Sequence, residues 1–175
     1  MQESTPGIDV REYRFEDDGR IPNNPDLPLL VYPQVLTEDA REPSRCRVLL
    51  SKNGWGGAWI NGVFPYHHYH STSHEVLCVV GGGARITFGG SEGETVEVQA
   101  GDVVVIPAGV GHRNEGSGSD FSVVGAYPRG QENYDLRTGE EGERPEVLEN
   151  IRNVPMPETD PLFGGEGPLL GHWSV

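Results

Sequence analysis

The chain has 175 residues, enough for one ordinary domain with a sizeable core and no need of disulfide staples. Its 27 acidic residues against 13 basic ones give a formal net charge of −14, which argues against a nucleic-acid backbone or an anionic membrane surface as partner. No segment approaches the roughly 20 apolar residues of a membrane-spanning helix. The start, Met1-Gln2-Glu3-Ser4-Thr5, lacks the basic and apolar stretches of a leader, so a cytoplasmic location is expected.

In chain order the pattern is all-β: short apolar runs are separated by turn residues, and the chain holds 25 Gly and 14 Pro. Strands are expected at 29–32, 62–70, 75–80, 84–88, 95–98, 102–106, 112–115 and 121–127. One helix interrupts them. Pro43 suits its first turn, Cys46, Leu49 and Leu50 share a face, and Asn53-Gly54 stops it, so it is expected to lie across an open edge of the β structure. Trp55 and Trp59 follow in a Gly-rich stretch and read as core or interface packing, or as an aromatic lip. Gly81-Gly82-Gly83 reads as a hairpin turn, because it lacks the Lys and the helix of a phosphate-binding loop. Gly89-Gly90-Ser91 is a second turn. Cys46 and Cys78 sit in apolar surroundings and read as buried free thiols of a reducing compartment. From Tyr134 onward the composition is polar, but spaced apolar islands ending in Trp173 favour an ordered wrap, over the outer sheet or onto a second subunit.

The chemistry concentrates in residues 66–75 and 101–112. On extended backbone His68 and His70 point the same way, four residues allow a turn, and Glu75 returns on a neighbouring strand, with His112 arriving from farther along. Three imidazoles and a carboxylate suit one divalent transition metal per chain: Fe, Mn, Ni, Zn, Co or Cu. No thiolate joins them, and four protein ligands leave two positions open on an octahedral ion, which favours reactivity over a closed structural site. His67 falls on the opposite face, His74 reads as loop or pocket rim, and His172 lies in the tail. Tyr66, Asn114 and Tyr127 are pocket candidates by alternation: each either bonds a metal-bound ligand or fills core with its polar group satisfied.

Gly62, five residues, His68, one, His70, four, Glu75, six and Gly82 match the first motif of the cupin superfamily at every fixed position. Gly101, five residues, Pro107, one, Gly109, two and His112 resemble the second, except that Gly116 stands where an Asn is usual and Asn114 lies two residues earlier. The segments Asp17-Asp18-Gly19-Arg20-Ile21-Pro22-Asn23-Asn24-Pro25, Asn53-Gly54-Trp55 and Gly167-Pro168-Leu169-Leu170 narrow the likeness. Together the chain resembles the YjlB-like group of single-domain bacterial cupins over roughly residues 12–174. The resemblance implies a double-stranded β-helix, or jelly-roll barrel, with one or two short helices. Its core barrel would span about 60–128, with an N-terminal arm and helix at 8–55 and a C-terminal wrap at 134–175. It also implies a homodimer, which open barrel edges and apolar tail islands would favour as well.

The leading functional expectation is a metal-dependent, dioxygenase-like enzyme acting on a small organic molecule. Redox-neutral isomerisation or decarboxylation at the same ligands stands beside it, as does a non-enzymatic binding or sensing role.

Overall fold

The computed structural model describes residues 8–174, so the N-terminal segment read for a leader lies outside the described residues. Among the described residues nine strands form two antiparallel sheets. The larger has six: β1 (Arg11–Tyr13), β2 (Leu29–Tyr32), β3 (Trp55–Asn61), β4 (Glu75–Gly81), β7 (Val103–Ile106) and β9 (Ser122–Pro128), in the order β1-β2-β7-β4-β9-β3. The smaller holds β5 (Gly83–Phe88), β6 (Glu94–Gln99) and β8 (His112–Ser117), in the order β6-β5-β8. This is the jelly-roll barrel expected, with a few short helices, three of them α-helices among the described residues.

The barrel interior is filled by alternate residues of both sheets: Leu77 and Val79 of β4, Val104 and Ile106 of β7 and Val123 of β9 meet Ala84, Ile86, Phe88 and Val98. The intervening residues of the large sheet, among them Val76, Cys78, Val103, Val105, Val124 and Ala126, face outward, yet they are buried in a second core. That core is closed by α1 (Pro43–Lys52), through Cys46 and Leu50, and by Leu162, Leu169 and Trp173 of the tail. The helix therefore covers a sheet face and not a barrel edge, because the outward row of the sheet is too apolar to leave in water. Burial on both faces is why β4 and β7 read as continuous apolar runs.

The tail wraps its own barrel. Helix α2 (Glu146–Asn153) buries Val147 and Ile151, one helical turn apart, and α3 (Pro168–His172) delivers Trp173, whose indole N–H donates to the Pro28 carbonyl at 2.8 Å. Asp160, fully buried, accepts from the Tyr32 hydroxyl at 2.6 Å and from the backbone N–H groups of Leu162, Phe163 and Leu169. These bonds let a polar carboxylate anchor the tail inside an apolar core. Cys46 and Cys78 are both free and buried.

Two expectations are corrected. The strand placed at 62–70 is displaced: the ladder runs over Trp55–Asn61, and only His68 and Tyr69 bridge to other segments afterwards. Pro65 has no N–H to give a ladder. The glycines of that stretch are tolerated in β3 because it is an edge strand, carrying a register shift between Gly56 and Trp59. Gly81-Gly82-Gly83 does not close a hairpin either. It is the corner where the chain leaves the large sheet for the small one, and Gly82, at φ +63°, is packed where any side chain would meet the backbone of Asp120 and Phe121.

Candidate metal centre

Alternation along β4 that sends Leu77 and Val79 inward also sends Glu75 inward, at the barrel's open end. Its neighbours in the ladder are Ile106 on β7 and, one step beyond the Val76–Ala126 pair, Tyr127 on β9. His112 opens β8. His68 is held against it by two backbone bonds, His68 N–H to the His112 carbonyl at 3.2 Å and His112 N–H to the His68 carbonyl at 2.9 Å. The Gly109 N–H donates to the His70 carbonyl at 2.7 Å, so the turn before β8 fixes the second histidine as well. All four side chains line one cavity of about 430 Å³, together with Tyr127.

Each of the three rings is oriented the same way. Nδ1 of His68 faces the Tyr66 carbonyl at 2.9 Å, Nδ1 of His70 faces the Asp135 carbonyl, and Nδ1 of His112 faces the Val110 carbonyl at 3.2 Å. A carbonyl only accepts, so each Nδ1 carries the proton and each Nε2 is left as a lone pair. Nε2 of His70 and of His112 lie 3.3 and 3.4 Å from Glu75 Oε1, which accepts no hydrogen bond, and the three ligand atoms fall within 4.8 Å of one another. His68 stands beside them, its ring 4.1 Å from that of His112.

Three acceptors converging in a buried site repel one another unless something positive lies among them. Without a cation in the site a proton takes its place: burial alone would raise the Glu75 carboxyl, but protonated His70 and His112 outweigh it and hold the group well below the usual carboxylate range. Burial lowers His70, and Glu75 more than offsets this, so its imidazole is raised overall. His68, farther from the carboxylate, is held down to about 3 by burial first and by His112 second. The donor set thus fits a borderline transition-metal cation.

Residues 60–124 match the cupin domain family. Over 165 residues, 94% of this chain and 97% of the relative, the sequence is 45% identical to YjlB of Bacillus subtilis strain 168, described as an uncharacterized protein. The chain is a YjlB-like cupin. Solved structures with a similar course include procruciferin, an 11S globulin of Brassica napus, at 15% identity and a TM-score of 0.41 over 81% of the cupin and 36% of that chain. Another is the acireductone dioxygenase of Bacillus anthracis with cadmium in its active centre, at 15% identity and a TM-score of 0.40 over 70% of the cupin and 79% of that chain. The cupin spans little more than a third of that globulin.

Of the pocket candidates, Tyr127 lies in the cupin's cavity. Its hydroxyl donates to Glu75 Oε2 at 3.1 Å and accepts the Trp59 indole N–H at 2.6 Å. Burial first, and the Glu75 charge second, push this phenol well above its ordinary range, so it stays a donor. Tyr66 is not brought in: its ring lies on the surface, 41% exposed and stacked on Phe64 at 5.1 Å, because residues 62–67 are not the strand whose alternation would have aimed it inward. Asn114 also stays out. Its amide donates to Ser117 Oγ and its carbonyl accepts from Gly116 N–H, closing a bulge in β8. His67 is half-buried and does not line the cavity. His74, read as loop or rim, is fully buried on the far side of Glu75 against the Trp173 ring. Its Nδ1 accepts the Ala108 N–H at 2.9 Å, the reverse of the three cavity histidines, and burial holds it down to about 3. His172 pairs with Glu12.

Trp55 packs in the outer core, whereas Trp59 turns into the cavity, where Gly125 leaves no Cβ to collide with its indole. The segment Tyr134 to Arg137, which no local pattern marks, is the cavity's remaining wall. Arg137 exchanges two backbone bonds of 2.9 Å with Tyr69, laying this strap alongside the histidine segment. Asp135 then clasps the turn after His70: its carboxylate accepts from Ser71 N–H at 2.7 Å, Ser71 Oγ at 2.5 Å and Thr72 N–H at 3.2 Å, while its carbonyl receives His70 Nδ1–H. Tyr134 stacks on Tyr127 at 4.2 Å, and Leu136 lines the mouth.

Proposed function

We propose that His68, His70, Glu75 and His112 hold one divalent transition metal per chain, Fe, Mn, Ni, Zn, Co or Cu, and that the cupin uses it to transform a small organic molecule by dioxygenase-type oxygenation. The observation that supports this most is the convergence of Nε2 lone pairs on a buried carboxylate oxygen that has no donor. A metal there supplies Lewis acidity and, where redox-active, electrons for oxygen chemistry. The chain's own residues prepare the site. Tyr127 fixes the carboxylate by donating to Oε2, leaving Oε1 to face the imidazoles. The three backbone carbonyls hold the rings in one tautomer. Tyr134, beside His70 at 4.8 Å, screens that ligand from water.

The test is metal analysis of untagged protein purified without added metal, followed by oxygen uptake on the anaerobically Fe(II)-loaded form with candidate diketones and catechols. About one transition metal per chain and substrate-dependent oxygen consumption are expected. Glu75→Gln should lose the metal while its circular dichroism spectrum stays that of the parent, since the barrel's core lies away from the site. Retained zinc without oxygen uptake would instead favour redox-neutral chemistry or ligand binding. A homodimer is part of this reading, and light scattering showing only monomer at micromolar concentration would refute it.

A further inference from the structure

The walls of the cavity say which guest it suits. Glu75 is the one charged side chain among the lining residues, and no Lys or Arg is present to meet a carboxylate or phosphate. A divalent cation beside Glu75 leaves one net positive charge, enough for a single ionised oxygen and too little for a dianion. The chain's formal charge of −14 further disfavours anions approaching from solution. The remaining surface is aromatic and aliphatic. Trp59, Tyr127 and Tyr134 form a wall, and Phe64, Tyr134 and Leu136 at the mouth are 46%, 39% and 47% exposed, leaving apolar area that nothing in the fold covers. The volume of about 430 Å³ suits a molecule of one or two rings.

We infer that the cavity takes an uncharged aromatic molecule, which presents an oxygen donor with at most one ionisable proton to the His/Glu end and lays its ring against the Trp59–Tyr127–Tyr134 wall. This deepens the proposed function and rests on its placing of the site. The metal orients the guest and the walls select it. A dicarboxylate, a sugar phosphate or a purely aliphatic chelator meets the same ligands without that wall.

Three probes with matched oxygen spacing separate the terms: benzoylacetone, an aromatic diketone; acetylacetone, its aliphatic counterpart; and malonate, a dianion. Calorimetric titration of zinc-loaded protein, whose ion does no redox chemistry, is expected to rank benzoylacetone about tenfold tighter than acetylacetone, with malonate weakest. Tyr134→Ala, compared at equal zinc loading, should shrink the ring's advantage to about twofold. The preference for the ring belongs to the walls, so it should persist in metal-free protein. Malonate binding as tightly as benzoylacetone, or a ring advantage that Tyr134→Ala leaves intact, overturns the inference. Failure to retain any metal refutes the proposed function alone, as does ring-selective binding without oxygen uptake by the iron form.

Discussion

The outer face of the six-stranded sheet and the outer face of the three-stranded sheet meet opposite fates. The first is roofed by α1, Leu162, Leu169 and Trp173 and is as dry as the barrel interior. The second is left to water: along β6, Thr95, Glu97 and Gln99 are exposed while Val98 is buried. A buried outer face permits β-branched residues at every position, whereas a wet one demands polar residues at alternate positions. The difference teaches that the tail is structural cover for one sheet only, and that its first residues also reach round to the open end of the barrel, where the metal centre lies.

The comparison is broken hardest by Trp173→Ala. Emptying the roof of its largest side chain should cost about 3–5 kcal/mol in urea denaturation. Next comes the strap: Asp135→Ala leaves the Ser71 and Thr72 donors without their acceptor, and should lower stability by about 1–3 kcal/mol while weakening zinc retention about 10–100-fold in a chelator competition.

Acid sharpens the same contrast. Burial alone would raise the Glu143 carboxyl, but the Tyr69 hydroxyl and the N–H groups of Thr138 and Gly139 hold it below its ordinary range. With the folded value below the unfolded value of about 4.3, its contribution is complete above that pH and is lost as pH falls through the folded value. Glu143→Gln should therefore flatten the acid limb of a stability–pH curve. The smallest effect belongs to the wet face: Glu97→Ala, opposite Arg85 on the exposed side of β5, should stay within about 0.5 kcal/mol of the parent.

Much of this architecture is legible in the sequence. The strands buried on both faces, β4 and β7, announce themselves as apolar runs, and the spacing of His68, His70, Glu75 and His112 already marks them as one donor set. Tyr127 follows from alternation along β9. The edge strand β3 escapes notice because its glycines imitate a loop, and residues 62–67 imitate a strand although Pro65 interrupts it. Trp59, Tyr134, Asp135 and Leu136 are invisible for a different reason. Their contacts join residues far apart in sequence, 64 positions between Asp135 and Ser71 and 68 between Trp59 and Tyr127, and no local periodicity encodes such a meeting.

The strap has one more consequence. The four candidate ligands come from within or beside the barrel strands, while Tyr134 and Leu136 belong to a connection leading to the tail, past the last strand. Exchanging those two side chains would re-cut the entrance without moving any candidate ligand. The scaffold thus separates the question of which ion is gripped from the question of which guest is admitted, and a lineage or an engineer can revise the second answer while leaving the first alone.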